Sequence, residues 1–406
     1  MEINADFHIH SRYSGATSKN MEFPVIARQA ELKGLNLVGT GDALHGKWLN
    51  EIKKLEKYGE GIYALGETKF IITLEVEDSR RVHHCAILPD ISCAESLREV
   101  FSKYSNLDID GRPHLGLKGE EIAEIISDAG GLIGPGHAFV PWTSVYKEYD
   151  SIDDCYGSAV KRVRFIELGL SADTDMADTI EELQNLTFLS NSDAHSPWPN
   201  KLGREFNRLE VNDITFKDIS LAIERRKGRS IVLNVGFDPQ MGKYHRSACI
   251  KCYNIYNLED AQRLKWKCSK CGGRIKKGVK DRIKEIATWD EPMHPYHRPE
   301  YIKIVPLSEI IASALGVNFY SKKVQTLWNK LVSKFGSEIA VLIDESFEDI
   351  AVESGEDVAA YIISFRMGDF RIREGGGGRY GEIIFNFKEK VREKTGGIGQ
   401  RSLDSF

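Results

Sequence analysis

Strand-like and helix-like patterns alternate through the first half of this chain, which predicts an α/β fold with a mainly parallel sheet, closed or nearly closed. Two further observations sharpen that expectation. Histidine- and carboxylate-bearing motifs follow short apolar runs: Asp6-Phe7-His8-Ile9-His10, Gly41-Asp42-Ala43-Leu44-His45, Leu74-Glu75, Gly136-His137 and Ser192-Asp193-Ala194-His195. In a barrel of parallel strands the chemistry sits at the C-terminal strand ends, where all of these motifs fall. Two Cys-x-x-Cys pairs, Cys249/Cys252 and Cys268/Cys271, then mark a separate small module.

Ile3 to Ile9 reads as a short strand ending in the His-x-His. Phe23 to Leu32 has helical spacing, with Pro24 in the first turn, where its missing N–H costs nothing. Leu35 to Thr40 is the next strand and leads to Asp42. Phe70 to Val76 is β-rich and carries Glu75. Leu117 to Asp128 is helical, and Leu132-Ile133 runs into Gly134-Pro135-Gly136-His137. Phe165 to Leu168 and Thr187 to Leu189 are further strands. The alternation fades after about Asn234. Trp289 to Pro299 reads as an ordered linker. Helical apolar spacing returns over 307–368, at Ile310, Ile311, Leu315, Leu327, Leu331 and Phe335, and Gly375 to Gly378 forms a loop between two elements. The predicted domains are 1–235, a metal-dependent catalytic domain; 243–284, a basic four-cysteine module; 285–390, mostly helical; and a tail, 391–406.

The 406 residues are 41% apolar, enough for two or three domains with a sizeable core. The formal net charge of -5 points away from nucleic acid, yet the distribution points towards it. Residues 243–284 hold thirteen Lys/Arg against three Asp/Glu, a local +10 that leaves -15 elsewhere. Seven cysteines, four of them in the two pairs, argue for a reducing compartment and metal ligation. Cys85, Cys93 and Cys155 read as small apolar residues. Met1 to Asp6 has neither a basic nor an apolar leader segment, and no run of about 18 apolar residues occurs, so a cytoplasmic protein without a membrane span is expected.

His8 and His10 lie two apart on a strand, so both imidazoles face one side and can chelate one ion. Asp6 shares that face and can orient a histidine. Asp42 either ligates or holds a neighbouring ligand, and His45 is the more direct donor of that loop. A lone Glu75 in an apolar strand would be costly unless a metal takes its charge. Strand alternation sends His83 and His84 to opposite faces, and shared parity with Ala86 and Leu88 selects His84. His137 follows a glycine turn that lets the backbone approach a site. Asp193 and His195 repeat the chelating spacing. The candidate ligands are therefore His8, His10, Asp42, His45, Glu75, His84, His137, Asp193 and His195. Such a set holds two or three divalent ions, zinc together with magnesium or manganese. Paired ions suit phosphate-ester hydrolysis, with Glu75 bridging them and Asp193 or His195 carrying the proton.

Residues 1 to about 235 resemble the PHP (polymerase and histidinol phosphatase) family through Asp6-x-His8-x-His10-Ser11, Gly41-Asp42-x-x-His45, Glu75, His137 and Asp193-x-His195. The resemblance implies a distorted TIM-like (β/α)7 barrel with a trinuclear metal site. The chain departs from it in one place: many members carry an aspartate soon after the His-x-His, where this sequence has Ser11-Arg12-Tyr13-Ser14-Gly15.

Fifteen residues separate the cysteine pairs, and four thiolates at that spacing close a tetrahedral structural zinc site. Lys265, Lys267, Lys270, Arg274, Lys276 and Lys277 surround it, with Tyr253, Tyr256 and Trp266 interleaved. Cations neutralise phosphates and aromatic rings stack on bases. Barrel, basic zinc module and helical C-terminal part together resemble the endonuclease Q family. The specific matches are Asp6 to Ser14, Ser190 to Ser196 and the cysteine spacing. That resemblance implies a DNA repair endonuclease cutting the phosphodiester 5′ to a deaminated base (hypoxanthine, uracil or xanthine) or an abasic site. A damaged base pairs poorly and is cheaper to extrude. By position, Glu167, Gly169, Ser171, Ala172 and Ser192 are the expected base pocket, and Trp142 and Trp198 join the lysines as DNA contacts. Gln400, Leu403 and Phe406 resemble a peptide that binds a PCNA-type sliding clamp. The alternative is a PHP-family small-molecule phosphatase of the histidinol-phosphatase type, against which the basic module argues.

Overall fold

The computed structural model describes residues 1–318 and 320–385, and the tail residues Gln400, Leu403 and Phe406 lie outside that range. Strand Glu2–Asp6 pairs in parallel with Leu37–Gly39, which pairs in parallel with Thr68–Ile71. On its other side Glu2–Asp6 pairs antiparallel with Phe206–Glu210, which continues antiparallel to Ser230–Gly236. A hairpin, Glu56–Gly59 with Ile62–Leu65, extends one edge, and Glu300–Lys303 extends the other. Thr73–Glu77, His83–Ile87 and Leu132–Pro135 form an antiparallel sheet, and Phe165–Glu167 pairs in parallel with Thr187–Leu189. Single bridges, Ile133 to Val163 and Ile9 to Ala194, link these sheets.

The fold is thus mixed α/β, and the expected mainly parallel sheet is corrected. Only residues 78–82 join Thr73–Glu77 to His83–Ile87, too few for a crossover helix, so those strands must run antiparallel. Buried Asp78 shapes the turn by accepting from the N–H groups of Arg80 and Val82. The single strand expected over Phe70–Val76 is two strands parted at Ile72.

Two apolar clusters hold the layers together. Ile3, Phe7, Leu37, Ile71, Ile87, Leu132, Phe165 and Leu189 meet on the side enclosed by the strands. A larger cluster runs from Ile9 to Phe365 and covers the outer strand faces with helices. Helix Phe23–Lys33 contributes Phe23, Ile26, Ala27 and Ala30 to it and ends at Gly34, whose φ of 97° suits a residue without Cβ. Helices Leu307–Leu315, Lys322–Phe335, Phe347–Ser354 and Glu356–Arg366 pack into the same cluster. Lys33 and Glu338, both buried, form an ion pair at 2.8 Å between the two parts of the chain.

The cysteine module is equally continuous with its surroundings. Its helix Val279–Ile286 buries Val279 and Ile283 in the larger cluster, and Arg282 donates to the carbonyls of Tyr146 and Tyr149. The hairpin Phe370–Arg373 with Glu382–Phe385 presents the glycine run to the module. A Cβ on Gly377 would stand 2.6 Å from the Cys249 carbonyl oxygen, so only glycine fits. No helix among the described residues is long and apolar enough to cross a membrane.

Candidate metal centre

The strand ends deliver these side chains through strained turns. Asp42, His137 and Asp193 have φ of 47°, 27° and 46°, the left-handed region that L side chains avoid. Such strain costs about 1–3 kcal/mol per residue and concentrates at functional sites. Gly41, at φ 61°, passes so close to Ile9 that a Cβ would lie 2.1 Å from its carbonyl oxygen. This close approach seats the Asp42 turn directly against the His-x-His strand.

Three groups of donor atoms overlap at this point: His8, His10 and Glu75; His10, Asp193 and His195; Glu75, His83 and His137. His10 Nε2 lies 3.3 Å from Glu75 Oε2 and 3.2 Å from Asp193 Oδ1, and His8 Nε2 lies 3.6 Å from Glu75 Oε1. His83 Nδ1 and His137 Nε2 lie 2.8 and 3.0 Å from Glu75 Oε1. His8 Nε2, His10 Nε2 and Asp193 Oδ1 are buried without a hydrogen-bond partner. Each such orphan costs about 1–3 kcal/mol. Their convergence beside two carboxylates fits divalent ions, which would remove the penalty.

Electrostatics agree. Burial opposes protonation of His8 and His10, yet Cys85, Glu167 and Glu75 around the first, and Asp42, Asp193 and Glu75 around the second, hold both imidazoles well above their ordinary range. Burial likewise opposes ionisation of Glu75, but His83, His8, His10 and His137 keep its carboxyl well below the ordinary range. Burial and the neighbouring His10 lower His195, which favours its neutral, proton-accepting form.

Carboxylates behind the ring orient the imidazoles. Glu167 holds His8 Nδ1 at 3.0 Å, Asp42 holds His10 Nδ1 at 3.0 Å, and Glu77 lies 3.4 Å from His83 Nε2. Each leaves the opposite nitrogen aimed at the cluster, the arrangement common around metal-binding histidines. Asp42 is itself held by the Ser11 N–H and the hydroxyls of Ser11 and Ser14.

Several expectations are corrected by this geometry. His84 is not at the cluster: its nitrogens meet Tyr156 at 2.8 Å and Asp78 at 3.2 Å, and His83 takes the site. The strand is buried on both faces, so the parity of Ala86 and Leu88 marks the helix-covered side, and Cys85 and Ile87 mark the enclosed one. Asp42 reaches the cluster through His10 and is not aimed at it directly. His45 is in none of the three groups above: it stacks on Tyr13 at 4.5 Å with Nε2 donating to the Asp108 carbonyl, and its Nδ1 is buried without a hydrogen-bond partner. Of the five residues expected to line a base pocket, four are buried. Glu167 is under His8, a Cβ on Gly169 would stand 2.6 Å from that of His137, Ala172 is in the larger core, and buried Ser192 donates its N–H to Asp6. Ser171 is half-buried. Cys85 is more than apolar filling: its sulfur lies 3.3 Å from His8 Nδ1. Arg112, 3.5 Å from Glu75 Oε2, was missed because it belongs to an irregular loop with no spacing signal.

The four cysteines come together as expected, with Sγ–Sγ separations of 3.5 Å for Cys249–Cys271 and Cys252–Cys268. The Tyr256 hydroxyl and nearby backbone N–H groups, against burial, bring the Cys268 thiol down to about 6, while Cys271, despite the Gly273 N–H, is pushed up to about 12 by Cys252, burial and Cys249, so the thiolate that zinc requires is favoured at one sulfur and opposed at another. Lys277, Lys280, Arg282 and Lys284 are paired with Glu285, Glu374, Asp150 and Glu259. Lys265, Lys267, Lys270 and Arg274 form no ion pair with a described residue. Exposed Trp142 lies under Lys276, 4.3 Å from the ring centre to Nζ, and Trp198 is exposed in the loop after His195.

Fold and donor set together define a metal-dependent hydrolase of the mixed α/β class. The crystal structure of the lesion-specific endonuclease PfuEndoQ from Pyrococcus furiosus superposes with a TM-score of 0.93 at 51% identity, covering 99% of this chain and 100% of that one. A complex of endonuclease Q with a 27-mer duplex substrate carrying an abasic lesion at the active site gives 0.89 at 52% identity, over 96% and 98% of the two chains. The chain belongs to the endonuclease Q family. Residues 306–369 match the family model of the MJ0043 C-terminal domain. Methanocaldococcus jannaschii protein MJ0043 is 49% identical over 254 residues, 61% of this chain, which spans about a third (31%) of that longer protein.

Proposed function

We propose that this chain is a DNA repair endonuclease that hydrolyses the phosphodiester 5′ to a deaminated base (hypoxanthine, uracil or xanthine) or an abasic site. The observation that carries it is the overlapping donor set sharing Glu75 and His10, on a chain half-identical over its length to a lesion-specific endonuclease. We read the linked strands as a distorted seven-stranded barrel with the centre at its mouth. Two or three divalent ions would sit in the three donor groups and one structural zinc among the cysteines. When bound, the catalytic ions activate water and neutralise the phosphate.

The chain's own residues do the rest. Glu75 bridges two donor groups and fixes their spacing. Neutral His195, partly solvent-exposed and beside Asp193, would complete the donor group of His10 and Asp193. Arg112 donates to a phosphate oxygen as the negative charge of Glu75 is taken up. Lys265, Lys267, Lys270 and Arg274 contact the duplex backbone, and Trp142 and Trp198 contact the opened strand. Gln400, Leu403 and Phe406 remain the candidate contacts for a sliding clamp.

The test is Asp193→Asn on a duplex with one deoxyinosine. Cleavage should be lost while gel-shift binding persists. Cleavage at the wild-type rate would refute the assignment.

A further inference from the structure

Lys33 and Glu338 form a buried charge pair that no step of the cleavage chemistry uses. The Lys33 side chain is 2% exposed and that of Glu338 is fully buried, with Nζ 2.8 Å from Oε1. Burying two charges is costly, and well-packed apolar residues in their place are often as stable or more so. What an apolar pair would not supply is direction, and here the direction is specific. Lys33 ends helix Phe23–Lys33, and its Nζ also donates to the carbonyl of Pro199. Its stem runs so close to the chain that a Cβ on Gly203 would stand 2.9 Å from Lys33 Cγ.

Pro199 and Gly203 belong to the loop 196–204, which follows the donors Asp193 and His195. The loop is stiff. Pro197 and Pro199 fix φ on both sides of Trp198. The Trp198 carbonyl accepts from the N–H groups of Lys201 and Leu202 at 2.8 and 3.0 Å. The far end of the loop is tied to the turn that carries Asp193. Gly203 N–H donates to Asp6 Oδ2 at 3.1 Å, while Asp6 Oδ1 accepts from the N–H groups of Ser192 at 3.1 Å and His8 at 3.3 Å. Arg204 Nε donates to the Ser192 carbonyl at 2.9 Å. On the opposite side Glu338 gathers the helices. It accepts from Trp328 Nε1 at 2.6 Å, in helix Lys322–Phe335, and from the Leu307 N–H at 3.2 Å, where helix Leu307–Leu315 begins.

We infer that Lys33 and Glu338 are positioning residues for phosphodiester cleavage: the pair anchors loop 196–204 to the C-terminal helices and so holds the Asp193 turn against the His-x-His strand. This rests on the endonuclease reading given above. Asp193 stands at φ 46°, a conformation that persists only when its surroundings over-determine it. The hydrogen bonds on both sides of Ser192 supply that constraint. Loop 196–204 makes one of them and braces the other through Asp6, and Lys33 fixes the loop. The C-terminal helices thereby contribute to the metal centre across the fold.

Lys33→Met with Glu338→Gln keeps both side-chain shapes and removes both charges. Single-turnover cleavage of a duplex with one deoxyinosine is measured at saturating enzyme, which removes changes in affinity, and well below the melting temperature found by circular dichroism. The rate should fall about ten- to a hundredfold, as small misplacements set up far from the chemistry do. A pair that only stabilises the fold leaves the folded variant at the wild-type rate, so a rate within about twofold of wild type would overturn the inference. Arg204→Lys keeps the cation and removes the Nε donor. Once the loop is cut from Ser192 in this way, the Lys33 and Glu338 changes should cost less than they cost alone; costs that simply multiply would also overturn it. Glu338→Gln alone repeats both comparisons should the paired variant fail to fold. Wild-type enzyme that cuts no lesion duplex removes the endonuclease reading itself, whereas a wild-type cut matched by the variant removes only the positioning role.

Discussion

Replacing Glu167 by glutamine probes how the centre is held without touching a donor to the metals. The side chain is fully buried and serves three donors: His8 Nδ1 at 3.0 Å, the His137 N–H at 3.0 Å and Asn191 Nδ2 at 2.8 Å. Glutamine keeps the shape but turns one acceptor oxygen into an NH2 group. At least one of the three donors then faces another donor, a loss of about 1–3 kcal/mol. His8 also loses the carboxylate that aims Nε2 at Glu75 and Asp193. Changes of that kind lower metal affinity or activity about 10- to 100-fold, or about 1.4–2.8 kcal/mol. Chelator competition measures the affinity, single-turnover cleavage the activity, and a thermal melt the stability. Wild-type affinity together with an unchanged melt would refute the argument that Glu167 orients His8.

Changing Lys265, Lys267 and Lys270 together to glutamine should weaken DNA binding and lower the slope of log affinity against log salt by about one for each phosphate no longer neutralised, read by fluorescence anisotropy; an unchanged slope would remove the module from the DNA path. Metal uptake should also depend on pH. The metal-free centre holds protons on His8 and His10 more tightly than ordinary imidazoles do, and ions must displace them. Apparent zinc affinity should therefore fall as pH is lowered, with the loss beginning above the ordinary imidazole value of about 6.5. Chelator competition at a series of pH values checks this, and an affinity flat down to about pH 6 would contradict it.

The donor set was largely legible because chemistry clusters at strand ends and a two-residue spacing on a strand puts both side chains on one face. His8, His10, Glu75, His137, Asp193 and His195 all follow from that rule, and four cysteines in two pairs need only tight turns to meet. Legibility failed where the rule loses its grip. A strand buried on both faces offers no polar side, so His83 and His84 were exchanged. Glu167 ends an apolar strand just as a pocket residue would, and only the distance to His8 shows that it supports a ligand. Asp42 ends a strand like a ligand but is turned towards the far nitrogen of His10. The short link at residues 78–82 reversed a strand that the helical alternation suggested was parallel.

The most direct measurement is nicking of a 5′-labelled duplex with one deoxyinosine, run beside an undamaged duplex and para-nitrophenyl phosphate, with and without chelator. The account predicts one cut immediately 5′ to the inosine, leaving 3′-hydroxyl and 5′-phosphate ends, and no cut after chelation. Release of nitrophenol without a cut at the lesion, or cutting that survives removal of the metals, would contradict it.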